Sequence, residues 1–188
     1  MRLKLAAISA FLFLVGLLAG YTLPSLSPGT ARMVYDLLRE AVLGRVGGSL
    51  RPGLGLSMLI FTNNIRVAMM TLLLGFTVAM PVLVALGNGA LLGLVCAMEV
   101  SMGRPPLLIL ASVLPHGVVE VAALVYTVSV SLELGLALWL RILRGSRELS
   151  AVLRRLPRDL VVIVALFLVA ALIEGVVTPA VVAAVQSL

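Results

Sequence analysis

His116 and Glu120 stand four residues apart in a long apolar stretch, the spacing that places two side chains on one helix face. An imidazole beside a carboxylate suits proton transfer, and a further carboxylate makes the pair a metal-ligand set. Glu174 supplies that carboxylate, fourteen residues past Leu160 in another apolar run. The amides of Asn63, Asn64 and Asn88, the guanidinium of Arg66 and the hydroxyl of Thr178 lie in similarly apolar surroundings. At bilayer depth such groups are costly unless they are paired or face a wet cavity, so they are the residues to interrogate.

One imidazole and two carboxylates are donors for zinc, iron or manganese, and a divalent metal is the one cofactor they suggest. No HExxH pattern, Walker loop or GxSxG elbow accompanies them. Buried Asn and His also glue transmembrane helices, at about 1 kcal/mol per hydrogen bond. That reading suits each group taken singly. One His, two Glu, one Arg and three Asn in so apolar a chain exceed what packing requires. Arg66 is expected to find its counter-ion in Glu174 or Glu120, and Glu99 to reach the interface near Arg104. Glu133 is expected to snorkel or to pair with Arg141. Cys96 has no partner in the chain for a disulfide.

The elements that position these groups follow from composition. The 188 residues are 62% hydrophobic and 12% charged, too few polar groups to wet the surface of a water-soluble domain. Mean hydropathy is +1.21. With about twenty apolar residues per crossing, the chain is expected to be all-α, a polytopic transmembrane bundle of about five spans, or six. The spans run over 3–23, 54–80, 82–101, 107–140 and 160–183. A charged start before an apolar run also describes a signal peptide, but this run is long and is expected to remain as the first helix. Pro24 is expected to close it. Pro115 either breaks one long helix or divides a half-helix from a span.

Between the first two spans, Met33, Val34, Leu37, Leu38, Ala41 and Val42 recur at helical spacing, with Arg32, Asp36, Arg39 and Glu40 largely opposite. This is the pattern of an interfacial amphipathic helix, or of a solvated connector. Gly44, Gly47, Gly48 and the Arg51-Pro52-Gly53 turn are expected to end it. The chain thus divides into 1–53, a first helix with its connector, and 54–188, a membrane core. The spacing of Gly89 and Gly93 marks close helix approach.

Arg141, Arg144, Arg147, Arg154, Arg155 and Arg158 face only Glu148 and Asp159 within the segment 141–159. By the positive-inside tendency this basic loop is cytoplasmic, and Arg2 and Lys4 put the N-terminus on the same side of the cell membrane. The connector's four arginines, on the far side, weigh against that topology. The partners expected are the lipid bilayer, a protein or anionic lipid at the basic loop, and a second copy of the chain. Nucleic acid is not among them. No half of the chain repeats the other, so an inverted-repeat transporter is not indicated.

Four motifs carry a resemblance: Phe61-Thr62-Asn63-Asn64, Asn88-Gly89-Ala90 with Gly93, Pro115-His116-Gly117-Val118-Val119-Glu120, and Glu174 with Thr178-Pro179. In this order, over 54–183, the chain resembles the stage II sporulation protein M family of bacterial and archaeal integral membrane proteins. In spore-forming bacteria the resemblance implies a membrane partner of peptidoglycan-remodelling proteins during engulfment. The membrane region is also similar in broad style to permease subunits of export-type transporters, an analogy of fold alone.

Three functions stand open. The first is a non-catalytic membrane component of a larger assembly, with a conformationally important polar cluster. The second is an intramembrane metal-dependent enzyme using His116, Glu120 and Glu174. The third is a transporter or permease-like subunit with a protonatable site.

Overall fold

The computed structural model describes residues 2–46 and 52–187, all helix and short turns, with no strand among them. The helices are α1 (Arg2–Leu26), α2 (Pro28–Val46), α3 (Leu54–Leu73), α4 (Ala79–Ser101), α5 (Pro106–Arg144), α6 (Glu148–Leu172) and α7 (Thr178–Gln186). A π-turn, Ile173–Val177, joins α6 to α7 without a break in direction, so these segments form one rod. Among the described residues, five rods are long and apolar enough to cross a membrane: α1, α3, α4, α5 and the α6–α7 rod.

The closest helix pair is α1 with α4, and the reason is small residues. Gly16 and Gly20 of α1 rest on the Leu86 and Ala90 carbonyls, while Gly89 and Gly93 rest on those of Phe13 and Leu17. A methyl group at any of the four would collide with backbone. Two small-xxx-small motifs therefore interlock, which brings the backbones together where lipid offers no hydrophobic drive. Gly89 and Gly93 make the approach their spacing suggests. Their partners on α1 are a further finding.

Helix α5 is 39 residues long and passes through Pro115 without breaking. At 1.5 Å per residue it spans about 58 Å, nearly twice the hydrocarbon core. Pro115 removes one backbone hydrogen bond, a small loss for a helix clasped by α1, α3, α4 and α6. Its C-terminal end forms a helical hairpin with α6, which already begins at Glu148. The basic loop is therefore mostly helix, and only 145–147 turn the chain.

Other boundaries also differ from expectation. Pro24 lies within the last turn of α1, which continues to Leu26. Helix α2 passes Gly44 and runs to Val46, while the expected break at Gly47, Gly48 and Arg51 lies outside the described residues. Ala31, Val34, Tyr35 and Leu38 of α2 pack on Leu94 and Met98 of α4, leaving Met33 and Leu37 exposed. Tyr35 donates to Glu99 Oε1 at 2.7 Å, and Glu99 Oε2 lies 2.8 Å from Arg104 Nε. Burial and then that bond to Glu99 push the Tyr35 phenol above its ordinary pKa.

The π-turn has a local cause. Pro179 has no N–H to give the carbonyl four residues back, at Gly175. The Gly53 N–H takes that carbonyl instead, at 2.8 Å, just before α3 starts. Gly175 lies so close to Ser57 and Gly53 that a side chain there would collide with both. One proline and one glycine thus dock the start of α3 onto the turn that carries Glu174.

Candidate functional site: a polar centre inside the bundle

The docking of the α6–α7 rod on α3 and α5 assembles a polar centre from three directions. His116 and Glu120 face inward together from α5, one turn apart, as their spacing requires. Glu174 arrives from the π-turn. The nitrogen of His116 and one carboxylate oxygen from each of Glu120 and Glu174 all lie within 4.8 Å of one another. Metal–ligand bonds of roughly 2.0–2.6 Å leave ligand atoms at most about 4–5 Å apart, so the three groups already stand near binding distance.

Neighbours from other helices hold this arrangement. Asn64 Nδ2 of α3 donates to Glu120 Oε1 at 3.0 Å. Thr178 Oγ1 of α7 lies 3.3 Å from His116 Nδ1 and orients the ring. A hydrogen bond on the other ring nitrogen, usually to a carboxylate, carbonyl or water, aims a ligand histidine. A π-turn beside such a group is also a recurrent mark of functional sites.

A cavity of about 190 Å³ opens beside the centre, lined on its polar side by Asn63, Asn64, Asn88, His116 and Glu120. Phe13, Leu92, Leu124 and Phe167 contribute to its apolar side. Glu174 and Thr178 do not line it, so they sit behind His116 and Glu120. Asn88 turns its amide back to the Val84 carbonyl at 2.8 Å and joins the site only as cavity wall. Amide walls and a half-buried imidazole–carboxylate set can hold a hydrated cation, and an apolar pocket could not.

The model of the family described as stage II sporulation protein M matches residues 9–179. The chain belongs to the stage II sporulation protein M family. The match takes in α1 and α2 as well as the core, so the resemblance extends beyond the motifs of 54–183. No curated relative and no solved structure matches the chain.

Arg66 stands apart from the centre of this stage II sporulation protein M family member, contrary to the sequence expectation. It lies on the exposed side of α3 and makes no ion pair among the described residues. The reason is helical phase: Asn64 occupies the inward position and takes Glu120, and two residues further on the face has rotated away.

The arginine that does meet buried acids is Arg2, and those acids are Glu133 and Asp159. Its Nη1 and Nη2 grip the two oxygens of Asp159 at 2.7 and 2.8 Å. Its Nε donates to Glu133 Oε2 at 2.7 Å, and Tyr126 adds a 2.7 Å bond to Asp159 Oδ1. Glu133 therefore pairs with Arg2 rather than Arg141, because its buried face of α5 meets α1. In the sequence Asp159 reads as one of the acids of the basic segment, which hides this second polar cluster. A usable signal existed: an acid directly before the last apolar run, at the same membrane edge as the first arginine.

Proposed function

We propose that the protein is a non-catalytic, multi-pass membrane component of a larger assembly, whose conformation is set by a divalent cation at His116, Glu120 and Glu174. The observation that carries this reading is the convergence of those three donors from α5 and the π-turn to within 4.8 Å. A cation there ties α5 to the segment on which the start of α3 is docked. Loading and release would move those elements relative to one another, a conformational output suited to a partner-binding component.

The same inventory weighs against an enzyme. If all three donors are ligands, no carboxylate at this depth is left among the described residues as a general base. The remaining acids are Asp36, Glu40, Glu99, Glu133, Glu148 and Asp159, which lie on α2 or toward the membrane edges. A protonatable transport site has one observation in its favour, the cavity beside His116 and Glu120. Flux of protons in proteoliposomes that disappears in Glu174→Gln would favour that second reading.

The deciding experiment is elemental analysis of the purified chain, with and without a His116→Ala change. Stoichiometric divalent metal that is lost in the variant and restored by no other site supports the proposal. Metal retained in the variant, or never bound after dialysis against zinc or manganese, rejects it. The proposed orientation places Arg2 and the α5–α6 hairpin in the cytoplasm, where their arginines accord with the positive-inside tendency. A cysteine placed at Ser146 should then react with a membrane-impermeant reagent only from the inner face, and labelling from outside would reverse the topology.

A further inference from the structure

The α5–α6 hairpin and the end of α3 enclose an apolar groove of about 290 Å³. Leu72 and Phe76 come from the end of α3 and the turn after it, Leu134 and Leu138 from α5, and Leu149 and Leu153 from α6. No residue of the polar centre lines it, so the groove is independent of the proposed cation.

Leu134, Leu138 and Arg141 fall at i, i+4 and i+7, on one face of α5. Arg141 is thus the next residue above the groove, and its Nη1 reaches across the hairpin to within 3.5 Å of the Ser146 carbonyl. The five other arginines of 141–158 are also exposed, and Glu148 is the one exposed acid described there. Trp139 is 45% exposed. Its ring nitrogen donates to the Phe76 carbonyl at 2.7 Å, which ties it to the groove's own wall. A tryptophan with an apolar body and a tethered N–H is the side chain expected at the level of lipid headgroups.

We infer that the groove and Arg141 form a seat for one anionic phospholipid, with an acyl segment among the leucines and the phosphate on the guanidinium. Charge chooses between the occupants. A second copy would bring the same six arginines against these and be repelled. Depth points the same way: Arg141 stands two residues beyond Trp139, and phosphate is the anion in constant supply at the headgroup level that a tryptophan marks. Arginine matches it with a planar fork of donors.

The test uses the full chain in phosphatidylcholine nanodiscs doped with phosphatidylglycerol or phosphatidylcholine carrying a photoreactive acyl chain. Crosslinks are mapped to peptides by mass spectrometry. Phosphatidylglycerol should label the peptides of Leu138 and Leu149 roughly fivefold more than phosphatidylcholine, the preference one basic residue at the headgroup confers. Arg141→Gln should bring the two lipids level. Leu138→Trp, which fills the groove, should abolish groove labelling by either lipid. Should that larger ring prevent folding, Leu138→Phe takes its place and should reduce the labelling. Excess inorganic phosphate should displace neither lipid, since the acyl segment anchors the headgroup; displacement would reassign the site to free phosphate. Equal labelling by the two lipids in the unmodified chain overturns the proposal and leaves the groove to the apolar helix of a partner. Labelling indifferent to the substitution at Leu138 overturns it as well.

Discussion

The polar clusters at Arg2 and at His116 are built on opposite plans. At the membrane edge, Arg2 meets Glu133 and Asp159 with three guanidinium hydrogen bonds, and Tyr126 supplies a fourth bond to Asp159. In the interior, Glu120 and Glu174 face His116 with no lysine or arginine paired to them among the described residues. The edge cluster brings its own cation. The interior one brings two acids, an imidazole and a space. A satisfied cluster fixes helices, whereas an acid-rich one beside a cavity is arranged to receive a positive charge from elsewhere. Cost at depth sharpens the contrast, because a fold that needed only glue would use amides and hydroxyls alone.

Four substitutions would break or sharpen this contrast, taken from the largest expected effect down. Arg2→Leu strands two buried carboxylates and should cost about 3 kcal/mol, near the low end for broken buried pairs because Arg2 is partly exposed. Thermal unfolding in detergent would show it. A change below about 0.5 kcal/mol would mean that the edge cluster is no more than a surface pair. Gly175→Val should cost about 1–3 kcal/mol by pushing the π-turn off Ser57 and Gly53. It should also weaken cation binding, which titration calorimetry would detect. Stability lost with binding intact would separate the π-turn from the site.

Glu174→Gln should behave unlike Arg2→Leu. With a chelator present it should shift stability by less than about 1 kcal/mol, since removing one of two neighbouring acids relieves repulsion. Under saturating metal the unmodified chain should gain stability that the variant does not, visible as a metal-dependent rise in the unfolding temperature. A large loss in chelator would place the interior cluster in the same structural class as the edge. Arg66→Leu comes last, with an expected effect within about 0.5 kcal/mol and unchanged metal content, as for exposed sites away from packed features. Loss of metal there would restore Arg66 to the centre.

Much of the interior centre is legible in the sequence. His116 and Glu120 share a face by spacing alone, and the residue types of Glu174 and Asn64 mark them for pairing at depth. Arg66 and Arg2 are not legible, and for one reason. Helical phase says which residues share a face, but a helix apolar on every side does not declare which face is inward. Arg66 has the right depth and the wrong phase. Arg2 and Asp159 lie 157 residues apart on helices whose mutual rotation no local pattern encodes. The proline at 115 misleads in a different way. It suggests a break because propensity counts a lost hydrogen bond and a clash, but not the helices packed along α5.

What the sequence alone determined was the solvent, the number of rods to within one and the short-range pairs within each rod, since hydropathy and helical pitch are local properties. The tertiary structure decided which acids share a centre, which arginine finds a buried partner and where the groove lies. Those outcomes depend on how apolar rods rotate against one another in a medium that attracts every apolar face equally. Backbone contact at Gly16, Gly20, Gly89 and Gly93, and at Gly175 above its missing proline bond, settles that rotation.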